Sequence, residues 1–417
     1  MLGWRSPANA LGFAPSGVAP SLTKQVIHSP SEGARAAHLD MIRGLAALAV
    51  CVGHARSFFV TDYAQTAHTL SARLFYLLTG FQQQAVMIFF VLSGYLVGGS
   101  VIKAYRQGRW SWSDYLSRRL SRLWIVIAPA LLLTLLWDTL GASGHGAPGY
   151  SCRWLSLVHS GPCAGSWHYD LSPAAFLGNL AFLQSVLVAP FGSNAPLWSL
   201  ANEFWYYLLF PLGLQVVLGS RSLKARLVAI AAIAAIALLL PATIMAYGLV
   251  WLFGVIAFLA LDRPTFARTA ATWPVGMGAM ILLAGTLLAS RAQLRIGNDF
   301  VIGAAFAAAL PWVARAKAPS ALYRRAGFIL SEMSYTLYLV HFPLMAWIYF
   351  TFLAPGQLTF GATSIVALAV ILAVTMVYTF AIWWLFERNT DRVRIFIAEA
   401  TGERWSRATT RRLDQQQ

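Results

Sequence analysis

Charge is what this sequence has least of: Asp, Glu, Lys and Arg make up 11% of its 417 residues, where a soluble chain carries about 25%. The shortfall excludes an ordinary water-soluble domain, because a surface that faces lipid rewards apolar side chains and penalises ionised ones. Acidic residues are the scarcer sign, 15 against 31 Lys and Arg. The excess of +16 invites a nucleic-acid reading. The basic residues, however, stand in short clusters between apolar spans and form no stripe interleaved with aromatics, so nucleic acid is set aside as a partner. No repeat of 20–50 residues and no low-complexity block is present. Residues 1–36 lack the continuous apolar stretch of a signal peptide and read as a disordered cytoplasmic tail.

What the sequence does have is long apolar runs. Segments near 41–60, 80–102, 122–140, 197–218, 227–241, 243–261, 273–290, 299–314, 327–351 and 361–386 approach the roughly 20 residues a bilayer demands. They predict an all-α integral membrane protein, a bundle of about ten transmembrane helices. Residues 37–390 form the membrane domain and 391–417 a second cytoplasmic tail, with no further soluble domain expected. With the N-terminus cytoplasmic, only Arg56, Arg73, Arg153, Arg291 and Arg295 of the 31 basic residues fall on outer segments. That bias places both termini inside. A stretch from Leu171 to Ala189 is apolar but interrupted, and is expected to lie re-entrant or along the outer interface. Cysteine is rare, three in all. Cys51 falls in the first span, while Cys152 and Cys163 share the long outer loop; spacing leaves open whether they are bridged or two thiols.

Ionisable groups inside a span cost at least about 2.5–3.5 kcal/mol at the bilayer centre, so each asks for a reason. His54 follows Arg43 by close to three helical turns, which puts both on one face about 16 Å apart along the axis. Glu203 lies early in the fourth span, after Asn194 and Pro196 in cap and first-turn positions. It reads either as a carboxylate favoured by the helix dipole or as a functional group. His341 precedes Pro343 by two residues, and a proline within a span frees a carbonyl and tends to kink the helix. His341 is thus a catalytic candidate or a core histidine bonding that carbonyl. Span ends bring His54, Glu203 and His341 to a similar depth below the outer surface. At the inner side Arg119 and Arg122, three apart, share a helix face suited to a phosphate or to anchoring at the interface. Ser93, Gly94, Gly98 and Gly99 place small residues in the second span, where close helix packing is the simpler reading for the glycines.

The segments LDMIRGLAALAVCVGH, FFVLSGYL, RRLSRLW, PLWSLANEFWYYLLFPL, SYTLYLVHFPL and LFERN, in that order over residues 39–389, resemble acyltransferase family 3. These are integral-membrane O-acyltransferases of the O-antigen and exopolysaccharide O-acetylase type. Met41 and Asn389 stand where the family favours glycine and proline. The resemblance implies transfer of an acyl group, acetyl most commonly, from cytoplasmic acyl-CoA to a hydroxyl of an extracytoplasmic glycan or lipid-linked saccharide at a bacterial inner membrane. No metal and no cofactor beyond acyl-CoA as co-substrate is implied. Arg43, Arg119 and Arg122 match residues assigned to the donor, and His54, Glu203 and His341 the catalytic positions. In the expected reaction His54 is the general base and Glu203 orients an imidazole. Trp198, Tyr338, Ser93 or a protonated His341 are candidates for contact with the oxyanion or the acceptor. Two alternatives are a transporter of a glycan or lipid-linked precursor, and an acyltransferase acting on a cytoplasmic small molecule.

Overall fold

The computed structural model describes residues 30–151, 169–219, 222–270, 272–294, 297–317 and 320–390. They form fifteen α-helices. In chain order these are α1 (Pro30–Phe59), α2 (Leu70–Leu78), α3 (Gln82–Ser93), α4 (Gly99–Arg106), α5 (Trp112–Ala142), α6 (Ala147–Tyr150), α7 (Pro173–Leu180) and α8 (Leu197–Leu214). There follow α9 (Leu223–Leu239), α10 (Ala242–Leu261), α11 (Pro264–Ala270), α12 (Trp273–Arg291), α13 (Asp299–Val313), α14 (Ala321–Phe352) and α15 (Ala362–Leu385). No strand occurs among the described residues; the only β-type contacts there are isolated bridges such as Val60 with Leu358.

Each apolar run of the sequence falls on a helix. Among the described residues, six helical stretches are long and apolar enough to cross a membrane: those ending at Phe59, Arg106, Ala142, Leu261, Arg291 and Asn389. The second of these joins α2, α3 and α4, and α13 is apolar but short. The protein is therefore a multi-pass membrane protein whose described residues are built from helices alone. The first helix begins at Pro30, inside the segment read as a tail. The interrupted stretch after Leu171 makes the short α7 and an irregular return containing Phe182 and Ser185 at positive φ. Cys152, Cys163 and the tail after 390 lie outside the described residues, while Cys51 is buried in α1.

Three devices fix the helices that carry polar side chains. First, α1 and α14 lie side by side and parallel: His38 Nδ1 meets the Tyr323 hydroxyl at 2.9 Å, and twenty residues along, Phe58 meets Phe342 and Tyr349. Second, α3 continues into a π-helical turn, Gly94–Gly98, that presses on α10. A Cβ on Gly94 would sit 1.8 Å from the Trp251 carbonyl oxygen, and one on Gly254 would sit 1.9 Å from that of Val91. The backbones touch, so any side chain at either position forces the helices apart.

Third, prolines inside helices release carbonyls that other segments capture. Pro343 has no N–H for the Leu339 carbonyl, and the Asn194 amide donates to it at 2.9 Å. Pro211 likewise frees Tyr207, whose carbonyl accepts from the Tyr115 hydroxyl at 3.1 Å. A buried carbonyl left bare costs about 1–3 kcal/mol, so these captures keep the prolines tolerable. Asn194 was expected to cap α8; instead it spans to α14, and α8 starts at Leu197 after Pro196, with no side-chain cap. The loop bearing Asn194 is held by Asp138, fully buried in α5, whose two carboxylate oxygens accept from the Ser193 N–H and hydroxyl, each at 2.7 Å.

Candidate active site

The parallel packing of α1 on α14 brings His54 against His341. Their Nδ1 and Nε2 atoms stand 2.9 Å apart, edge to edge, with the ring planes within 9° of each other. Which nitrogen holds the proton follows from the third member. His341 Nδ1 lies 2.8 Å from the Leu337 carbonyl, and a carbonyl only accepts. His341 Nδ1 therefore carries the hydrogen and, in the neutral ring, its Nε2 is the acceptor. His54 Nδ1 must then donate to it, and the His54 Nε2 lone pair is left as a base. His341 is fully buried, whereas His54 lines a small chamber of about 90 Å³ with Gln82, Gln83, Trp198, Tyr338 and Phe342. Phe342 sets its ring edge-on to His54 at 5.0 Å and helps fix the plane.

The arginines gather elsewhere. Arg43, Arg119, Arg122 and Glu203 line a second chamber of about 150 Å³, together with Ser93 and Tyr207. Arg43 donates to the Ser331 carbonyl at 3.4 Å and faces Asp40 at 3.8 Å. Arg119 donates to Ser100 Oγ at 3.2 Å and lies over the rings of Tyr115 and Tyr207, 5.7 Å from each centroid. Among the described residues, Arg43 Nε and Arg119 Nε are both buried without a hydrogen-bond partner. Buried donors are normally satisfied. A cavity lined by guanidiniums with spare N–H groups suits an anion such as phosphate, which accepts from such forks.

The sequence grouped Glu203 with the histidines; its observed partner lies among the arginines. The Tyr207 hydroxyl, one helical turn on, donates to Glu203 Oε1 at 2.5 Å, while the imidazole partner of His54 is His341. A shared depth is not a shared neighbourhood. Nor does His341 fill the role of an oxyanion donor, since both its nitrogens are engaged and it has no exposed surface. It is not bonding the proline-freed carbonyl either, which Asn194 holds. Ser93 accepts from Trp251 Nε1 at 3.1 Å and faces the arginine chamber. Trp198 lines the histidine chamber.

The two chambers meet at Val86 and Tyr338, which line both. Ser199 Oγ donates to the Pro196 carbonyl at 3.2 Å, so the 2.6 Å bond between Ser199 and Tyr338 has the tyrosine as donor. Tyr338 is thereby held between the two chambers with its hydrogen engaged. Sequence reasoning missed Ser199 and the triplet Gln82–Gln84. Gln83 donates to Asp299 Oδ2 at 3.0 Å, which also accepts from Tyr247 at 2.9 Å. Three consecutive amides at the start of an apolar span were the available signal.

The family described as Acyltransferase domain matches residues 37–387. No curated protein and no solved structure matches the chain. The family match runs from the first membrane helix to the end of the last, through every side chain of both chambers, and the chain belongs to acyltransferase family 3.

Proposed function

We propose that the protein takes an acyl group, acetyl in the simplest case, from acyl-CoA on the cytoplasmic side of a bacterial inner membrane and moves it to a hydroxyl of an extracytoplasmic glycan or lipid-linked saccharide. One observation carries the reading: an imidazole with a free basic nitrogen stands in a chamber that adjoins, at two side chains, a chamber lined by three arginines. The arginines suit the phosphates of CoA, and the boundary at Val86 and Tyr338 is where the pantetheine arm presents its thioester. Trp198 offers the acceptor an apolar face, and Ser93 a hydroxyl on the donor side. Glu203, through Tyr207, balances and positions the arginines rather than the base.

His54 Nε2 removes the acceptor's hydroxyl proton as that oxygen attacks the thioester carbon. His341 keeps the His54 ring in the required tautomer and takes up part of the positive charge through the shared hydrogen bond, the role a carboxylate has in a triad. The tetrahedral intermediate collapses by breaking the carbon–sulfur bond. The imidazolium returns the proton to the departing thiolate, releasing CoA and the ester.

The test is transfer of label from radiolabelled acetyl-CoA to envelope glycan of the host by the purified protein in lipid vesicles, beside His54→Ala. Label in glycan with the wild type alone supports the reading. Equal transfer by both removes His54 as the base. No CoA release with any glycan counts against a glycan acceptor, and product trapped on the donor side of sealed vesicles places the acceptor in the cytoplasm.

A further inference from the structure

Attack on a thioester moves an electron pair onto the carbonyl oxygen, and that oxyanion needs a donor held in place beforehand. The polar groups lining the histidine chamber are few, and most are already committed. His54 presents a lone pair, Gln83 donates to Asp299, and Tyr338 donates to Ser199. His341, behind His54 and off the chamber wall, donates to a backbone carbonyl. Two lining donors remain, the Trp198 indole and Gln82; Gln82 is the one seated beside the base, and no hydrogen bond engages its amide among the described residues.

The seat of that amide is specific. Its Oε1 is buried against α1 at Gly53, the residue before His54; a Cβ on Gly53 would lie 2.4 Å from Oε1 and 2.8 Å from Gln82 Cβ. With the oxygen packed on Gly53, the nitrogen is the end of the amide left for the chamber. Gln82 is also the first residue of α3, a twelve-residue helix, so the positive end of its dipole adds to the same spot.

We infer that Gln82 is a catalytic residue, donating from its side-chain N–H to the oxyanion, and that Gly53 is kept small to seat it beside the base. The inference rests on the acyl-transfer reading above. As the acceptor oxygen bonds to the carbonyl carbon, the C=O pair shifts to oxygen and is held by Gln82. The pair returns as the carbon–sulfur bond breaks, and the thiolate takes its proton from His54.

The experiment measures kcat and KM for acetyl-CoA, with envelope glycan as acceptor, for the wild type, Gln82→Met and Gly53→Ala in lipid. Gln82→Met keeps length and bulk but removes the donor. Loss of one oxyanion donor costs about 10²–10³ in kcat, so both variants fall by that order with an unchanged KM for acetyl-CoA and an unchanged thermal unfolding midpoint for Gln82→Met. Wild-type transfer undiminished in Gln82→Met overturns the inference and leaves the acyl-transfer reading intact. A fall in kcat matched by a fall in the unfolding midpoint overturns it in favour of a packing role. No transfer by the wild type overturns the reading and the inference together.

Discussion

In the small chamber the base and its neighbours are tied down: His54 to His341, His341 to a backbone carbonyl, Gln83 to an aspartate, and Gln82 by its packing on Gly53. In the large chamber Arg43 and Arg119 each keep a buried Nε unsatisfied among the described residues, and Arg122 is exposed. The contrast separates two physical tasks. Proton transfer depends on angle and distance, so its groups gain from being locked before the reaction starts. Grip on a flexible polyanion depends on charge, and donors with spare capacity are completed only when the anion arrives.

That contrast is open to attack. The largest effect is expected from His54→Ala, which lowers kcat by about 10²–10⁴ while KM for acetyl-CoA holds; a variant that raises KM instead would put His54 with the donor. His341→Leu removes the partner that orients His54 and lowers kcat by about 10–100-fold, as loss of an orienting partner does for ligating histidines. An unchanged kcat would make the pair a packing contact. Arg119→Ala or Arg122→Ala raises KM for acetyl-CoA about tenfold, the worth of one charged hydrogen bond. Neither changes KM for acetyl-pantetheine, which lacks the nucleotide phosphates; an equal rise for both substrates breaks the assignment of the large chamber. The smallest effect is that of Asn194→Ala, about 1–3 kcal/mol in stability from exposing the Leu339 carbonyl, read by thermal unfolding in detergent.

Much of this was legible beforehand, and the limit falls at pairing. Apolar runs place helices because a bilayer imposes length and composition, and the polar residues that interrupt them were visible as costly exceptions. Which exceptions meet depends on how helices lie against each other. Glu203 has an imidazole-like depth, yet its side chain is claimed by Tyr207 one turn away, a local contact that span ends do not resolve. Gln82 went unnoticed because an amide carries no charge and its role rests on Gly53, whose fitness for the site lies in what it lacks. Asn194 resembled a cap by position, but the carbonyl it serves is set free by a proline in a distant helix.

The tie between Asn194 and Pro343 constrains how such a chain can drift. Any residue at 343 that carries an N–H lets α14 satisfy Leu339 by itself, and the amide at 194 then loses its purpose there. Proline at 343 without an amide at 194 leaves an orphaned carbonyl. The constraint runs one way: a chain that keeps the proline needs the amide, while one that gives it up still has the Asn194 bond to Thr134 Oγ1 at 3.1 Å to retain.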